Sequence, residues 1–104
     1  MQNQPDKQTN AEIGKEFERR VSNVLRDFGW NVSETPGSND FGADLIAEAG
    51  SVRLAIQCKC YTGFIGRAAI QQVNHGKRHY SANRAIVIFE GSVSNNIRKE
   101  GKFH

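Results

Sequence analysis

The stretch Asp44-Leu45-Ile46-Ala47-Glu48-Ala49-Gly50-Ser51-Val52-Arg53-Leu54-Ala55-Ile56-Gln57-Cys58-Lys59-Cys60-Tyr61 decides how this chain folds. Asp44 to Ala49 and Val52 to Tyr61 read as two strands. Only Gly50-Ser51 separates them, a connection that suits a β-hairpin. Folding about that turn brings Asp44 roughly opposite Gln57. Side chains alternate along a strand with a period of two, so Gln57 and Lys59 share one face while Ile56, Cys58 and Cys60 share the other.

On the N-terminal side, Thr35-Pro36-Gly37-Ser38-Asn39-Asp40 is a loop rich in turn formers, and Gly42 extends it. Trp30-Asn31-Val32-Ser33 alternates apolar and polar, as a half-buried strand does. Ile13, Phe17, Val21, Val24, Leu25 and Phe28 recur at helical spacing and predict an amphipathic helix over Ala11 to Phe28. Thr9 and Glu12 fit a capping box at its start, and Gly29 suits its C-terminal cap. On the C-terminal side, Ala69, Ile70, Val73 and Tyr80 predict a second helix over Arg67 to Tyr80, with Gly76 as an interruption. Ala85 to Phe89 reads as a buried strand, and Ser92 to His104 as a tail with a short helix. The order α-β-β-β-α-β predicts an α/β fold, a mixed central sheet flanked by helices.

With 104 residues, 38% hydrophobic and 24% charged, the chain is long enough for one modest core. Residues 1–10 are polar and predict a flexible tail, leaving 11–104 as a single domain. The longest apolar run, Ala85 to Phe89, is far short of the ~20 residues that cross a bilayer, so no membrane role and a cytoplasmic location are expected. Residues 1–52 carry five Lys/Arg against nine Asp/Glu, and residues 53–104 nine against two. The acidic half offers metal ligands and the basic half suits an anionic polymer.

Taken singly, Asp44 reads as a turn cap, and Gln57 and Lys59 as a solvated strand face. Taken together they suggest chemistry. A carboxylate, an amide oxygen and the Cys58 carbonyl are the donors hard cations prefer, which points to Mg²⁺, with Mn²⁺ able to substitute. Such an ion polarises a phosphoryl oxygen and acidifies water. Lys59 beside it would orient the attacking water or stabilise developing charge.

Gly14-Lys15-Glu16-Phe17-Glu18, Phe28-Gly29-Trp30-Asn31-Val32, Thr35 to Ala47 and Ile56-Gln57-Cys58-Lys59-Cys60-Tyr61 together resemble the Mrr-like restriction endonuclease family, part of the PD-(D/E)XK nuclease superfamily. The likeness covers roughly residues 13–90. It implies a restriction-endonuclease-like fold and a metal-dependent DNA endonuclease of the type IV restriction kind. Asp44 would be the metal-binding aspartate, Gln57 would stand at the usual Asp/Glu position, and Lys59 would be the motif lysine. Glu18 would point into the site, and at ~100° per residue it does lie at the edge of the apolar stripe, with Glu16 further round toward solvent. Gln57 leaves the site one negative charge short, so Glu18 or the substrate phosphate must supply more of the ligand field. Asp40 is a substitute candidate. Glu48 lies ~13 Å along the strand, too far. Gln71 would border the site.

Three other readings compete. Cys58-x-Cys60, fourteen residues, then His75-x₃-His79 invites a structural zinc, although the cysteine spacing is short for a finger. A DNA-binding module with a decayed site would rest on Lys77, Arg78, Arg84, Arg98, Lys99 and Lys102 contacting phosphates. The intact Asp44 and Lys59 argue against decay, and in a nuclease Lys77, Arg78 and Arg84 would hold the DNA. A Holliday-junction resolvase would share the fold, but those enzymes usually present a glutamate two residues before the lysine, so Gln57 favours the Mrr-like group. Expected partners are DNA, a second copy forming a homodimer, and a separate DNA-recognition domain or subunit.

Overall fold

The computed structural model describes residues 10–36 and 41–93, with backbone alone at residues 10, 60–65 and 91–93. The expected N-terminal tail through residue 9, the Thr9 cap, Asp40 and any helix within 94–104 lie outside the described residues, as does the Cys60 side chain.

The chain runs α1 (Asn10–Asp27), β1 (Asn31–Glu34), β2 (Leu45–Ala49), β3 (Val52–Ile65), α2 (Arg67–His79) and β4 (Arg84–Val93). This is the predicted order, with β3 and β4 longer than expected. Ser92 and Val93, assigned above to a tail, extend β4 in register with Phe64 and Ile65. The sheet order is β1-β2-β3-β4. The first two pairings are antiparallel and the third is parallel; the two-residue turn can only reverse β2 into β3, whereas α2 carries the chain back so that β4 runs alongside β3. Ala49 pairs with Val52 across the two-residue turn at Gly50. At the other end of β2, Thr35 ties the β1–β2 loop shut: its N–H donates to the Asp44 carbonyl at 3.0 Å and its hydroxyl to the Ala43 carbonyl at 2.7 Å.

The two helices cover opposite faces of the sheet. Phe17 and Val21 of α1 bury against Val32, Leu45, Ala47, Leu54 and Ile56, with Leu25, Trp30, Cys58, Ile86 and Ile88 around them. Burying such side chains contributes roughly 1.5–3 kcal/mol each. The other face carries the smaller cluster Ala43, Ile46 and Ala55, flanked by Tyr80 and Ala82. The apolar stripe of α1 is narrower than its spacing predicts. Val24 is 53% exposed and Phe28 80%, while Ser22 is buried. Val24 instead borders an open apolar groove shared with Phe17, Val21, Leu25 and Ile88 of β4.

Both helices end in the same way. In α1, Trp30 N–H donates to the Leu25 carbonyl and Gly29 N–H to that of Arg26. In α2, Ala82 N–H donates to Lys77 and Ser81 N–H to Arg78. These are Schellman caps, which place one residue at positive φ. Gly29 takes it at 96° and Ser81 at 55°. Gly76 does not interrupt α2. It lets the helix lie against the Gly42-Ala43 backbone: a Cβ on Gly76 would come within 2.9 Å of the Ala43 Cβ, and one on Gly42 within 1.9 Å of the Gln72 carbonyl oxygen.

Candidate active site

Asp44 stands where β2 begins. Its N–H donates to the Ile56 carbonyl at 2.7 Å, and its Oδ2 accepts the Cys58 N–H at 2.7 Å. The carboxylate thus takes over the ladder bond that β2 has not yet begun to supply. Within a strand, a residue's N–H and C=O point the same way. The Cys58 carbonyl therefore faces the Asp44 side of β3 as well. Asp44 is only 7% exposed, and burial raises its pKa above the usual 3.8, against the opposing pull of the Cys58 N–H, Lys59 and Lys15.

Glu18 reaches this carboxylate from α1. Its pKa is also raised, first by burial and then by Asp44, with Lys15 lowering it. The Lys15 ammonium lies 3.5 Å from Glu18 Oε1. Two carboxylates whose burial outweighs the pull of their cationic and N–H partners, one of them felt by the other, mark a place where further cationic charge is favoured. Glu16 is exposed, as its helical position predicts.

Gln57 follows one residue beyond the Leu45–Ile56 pair, beside Asp44. It is 1% exposed, and among the described residues its Oε1 has no hydrogen-bond partner. Leaving a buried carbonyl oxygen unpaired costs about 1–3 kcal/mol. The donor set fits a hard divalent cation on this observation: a buried amide oxygen lacking a partner, a carboxylate and a strand carbonyl, all oxygen. Among the described residues, no three His, Cys, Asp or Glu side chains converge as a metal site, so any cation here relies on the amide and the backbone. Lys59 is partly exposed, two residues on, and its charge is felt at Asp44.

The zinc arrangement does not form from Cys58 and the histidines. The Cys58 side chain packs into the α1-side core. Burial, Asp44 and Glu18 push its thiol up to about 12. His75 and His79 belong to α2, on the opposite face, and the His79 ring stacks on Phe41 with centroids 3.7 Å apart. Gln71 is exposed on α2, and no described contact joins it to Asp44. Lys77 and Arg78 lie in the last turn of α2, and Arg84 is exposed at the start of β4 opposite Leu54, toward the hairpin end. Lys15 and Glu34, which also acts on Glu18, were not singled out in the sequence. For Lys15 one signal existed: it lies three residues from Glu18, hence on the same side of α1.

A protein-family model described as restriction endonuclease, of the Mrr catalytic type, matches residues 10–103. Over 53 residues the chain is 40% identical to the crossover junction endodeoxyribonuclease Hje of Sulfolobus acidocaldarius, an alignment taking in 48% of this chain and 38% of that protein. Its fold is similar to that of Hjc, a Holliday junction resolvase from Archaeoglobus fulgidus, with a TM-score of 0.57 and 22% identity over 74% of this chain and 65% of the other. The matches thus span less than two thirds of either relative. Among the described residues no helix is long and apolar enough to cross a membrane.

Proposed function

We propose a function from one premise: this chain belongs to the Mrr catalytic family of restriction endonucleases. The reaction is metal-dependent hydrolysis of DNA phosphodiester bonds. The observation that carries this reading is the buried Gln57 Oε1, unpartnered among the described residues, one position along β3 from the Leu45–Ile56 pair that follows the desolvated carboxylate of Asp44. Asp44 and the Cys58 carbonyl would hold Mg²⁺, or Mn²⁺ in its place, with Gln57 and Glu18 as supporting ligands. When bound, the ion polarises a phosphoryl oxygen and lowers the pKa of water. Asp44 holds its carboxylate in one orientation through the Cys58 N–H. Lys15 offsets part of the repulsion between Glu18 and Asp44. Lys59 presents an ammonium that orients the attacking water or stabilises the charge that builds on the phosphate. Lys77, Arg78, Arg84 and Gln71 are the proposed DNA contacts.

Two substrate readings remain within this chemistry. The family match favours restriction-type cleavage of duplex DNA, including modified DNA, in the manner of type IV enzymes. The alignment with a crossover junction endonuclease favours branched DNA. Either suits a homodimer, since cutting two strands takes two sites, and a separate recognition domain or subunit would add sequence choice.

A cleavage assay across plain, methylated and four-way-junction DNA, with Mg²⁺, Mn²⁺ or chelator, tests both levels. Lys59→Ala should abolish cutting while leaving salt-sensitive binding in place. Cutting that persists in chelator, or in Asp44→Ala, would remove the metal mechanism.

A further inference from the structure

The loop that delivers Asp44 to the site carries an aromatic side chain that the proposed chemistry does not use. Phe41 is 42% exposed, high for a phenylalanine in a loop that is otherwise pressed against α2. Its ring is held flat. The His79 imidazole stacks under it at 3.7 Å with an interplanar angle of 3°, and Tyr80 meets it edge-on at 6.4 Å. Tyr80 also braces His79 edge-on at 4.7 Å. The backbone next to it is fixed too, because Gly42 lies against the Gln72 carbonyl. The result is an aromatic shelf with one face covered by His79, Tyr80 against it edge-on, and 42% of the residue exposed.

The position of the shelf matters. Phe41 is three residues from Asp44, at most ~11 Å of chain. The backbone of Phe41 therefore lies no further from Asp44 than the span of a nucleotide or two. The last turn of α2, which carries His79, also carries Lys77 and Arg78, so the same turn presents cationic side chains around the helix end. An aromatic face bordered by basic side chains is how proteins grip an unpaired base while tracking its backbone.

The geometry points to Phe41, backed by His79 and Tyr80, as a stacking site for an unpaired nucleobase of the DNA substrate, on the loop that leads into Asp44. Fully paired bases stay in their own stack and gain nothing from it. The site would therefore favour DNA with a bulge, a branch or an extruded base. This rests on the nuclease reading above.

The test is equilibrium binding without divalent metal, so that no strand is cut. The probes are a fully paired duplex and the same duplex with one unpaired 2-aminopurine. Wild type should bind the bulged duplex more tightly and quench the 2-aminopurine. Phe41→Ala should weaken bulge binding by about tenfold, leave paired-duplex binding within about twofold, and abolish the quench. Phe41→Tyr, which keeps a stacking ring, should behave as wild type and controls for folding. Equal losses on both duplexes, or a quench that survives Phe41→Ala, would overturn the stacking site and leave the nuclease reading intact. If wild type binds neither duplex at low salt, the nuclease reading fails and the stacking site with it.

Discussion

The two ends of the β2–β3 hairpin are built from one ladder and treat their polar groups in opposite ways. At the turn end, Arg53 pairs across the strands with Glu48 at 2.9 Å and donates to the Tyr80 carbonyl at 2.8 Å. Its backbone N–H meets Asn83 Oδ1 at 2.5 Å, and its carbonyl accepts the Asn83 N–H at 2.7 Å. Opposite charges meet there, and the bonds fasten the α2–β4 connection to the hairpin. At the open end, burial pushes both Asp44 and Glu18 toward the protonated state, Asp44 adds to the shift of Glu18, and Gln57 Oε1 has no partner among the described residues. The turn end uses its polar groups on the chain itself. The open end leaves them for something the chain does not contain, which is how functional sites commonly depart from optimal stability.

The largest expected effect comes from removing charge at the open end. Asp44→Asn keeps an oxygen for the Cys58 N–H but loses the carboxylate. Cleavage should fall by roughly 10³-fold or more, the several kcal/mol that a bound metal's charge supplies. The metal-free fold should not suffer. Both carboxylate pKa values are raised from 3.8 and 4.5, so their favourable contribution is complete below those values and is lost as pH rises through the raised ones. Metal-free wild type should therefore lose stability as pH rises from 4 toward neutral. Asp44→Asn should show a shallower dependence and melt no lower than wild type at pH 7. A clearly lower melting temperature for the variant would mean that the open end is as satisfied as the turn end.

Gly42→Ala comes next, because it adds a Cβ both at positive φ and inside the Gln72 carbonyl. Urea unfolding should show a loss on the order of 3 kcal/mol, with cleavage falling further than the folded fraction does, since the loop that carries Asp44 must move.

Arg53→Ala probes the turn end. The pair is partly exposed, so solvent screening keeps its share small, and most of the loss should come from the bond to the Tyr80 carbonyl. Stability should drop by about 1 kcal/mol, while cleavage per folded molecule stays within about twofold. A catalytic loss like that of Asp44→Asn would show that the two ends are coupled. The smallest effect should be that of Ser81→Gly, a gain of about 0.5 kcal/mol in the same unfolding assay, as the positive φ at the α2 cap ceases to oppose a Cβ.

Much of the open end could be read in advance because it lies within one hairpin. Gly50-Ser51 fixed the pairing of β2 with β3, and that pairing put Asp44 beside Gln57 and Cys58. Glu18 needed the family resemblance as well as its place on the stripe of α1. Lys15 was overlooked because its role depends on how α1 sits over the start of β2. The misreadings have the same origin. Gly76 reads as a helix breaker unless the Gly42 loop is seen against it, and Val24 and Phe28 read as core although the structure leaves both exposed.

The sequence by itself determined the order of the elements, the hairpin and the identity of the oxygen donors along it. Local propensity, turn chemistry and the period-two alternation of side chains act over a few residues and are written in the chain. Only the tertiary structure decided that Cys58 and the α2 histidines face apart, that Phe41 lies flat on His79, and that Gln57 is buried with its oxygen unpaired. Those outcomes depend on which volumes fit between elements distant in sequence, and no local pattern encodes that.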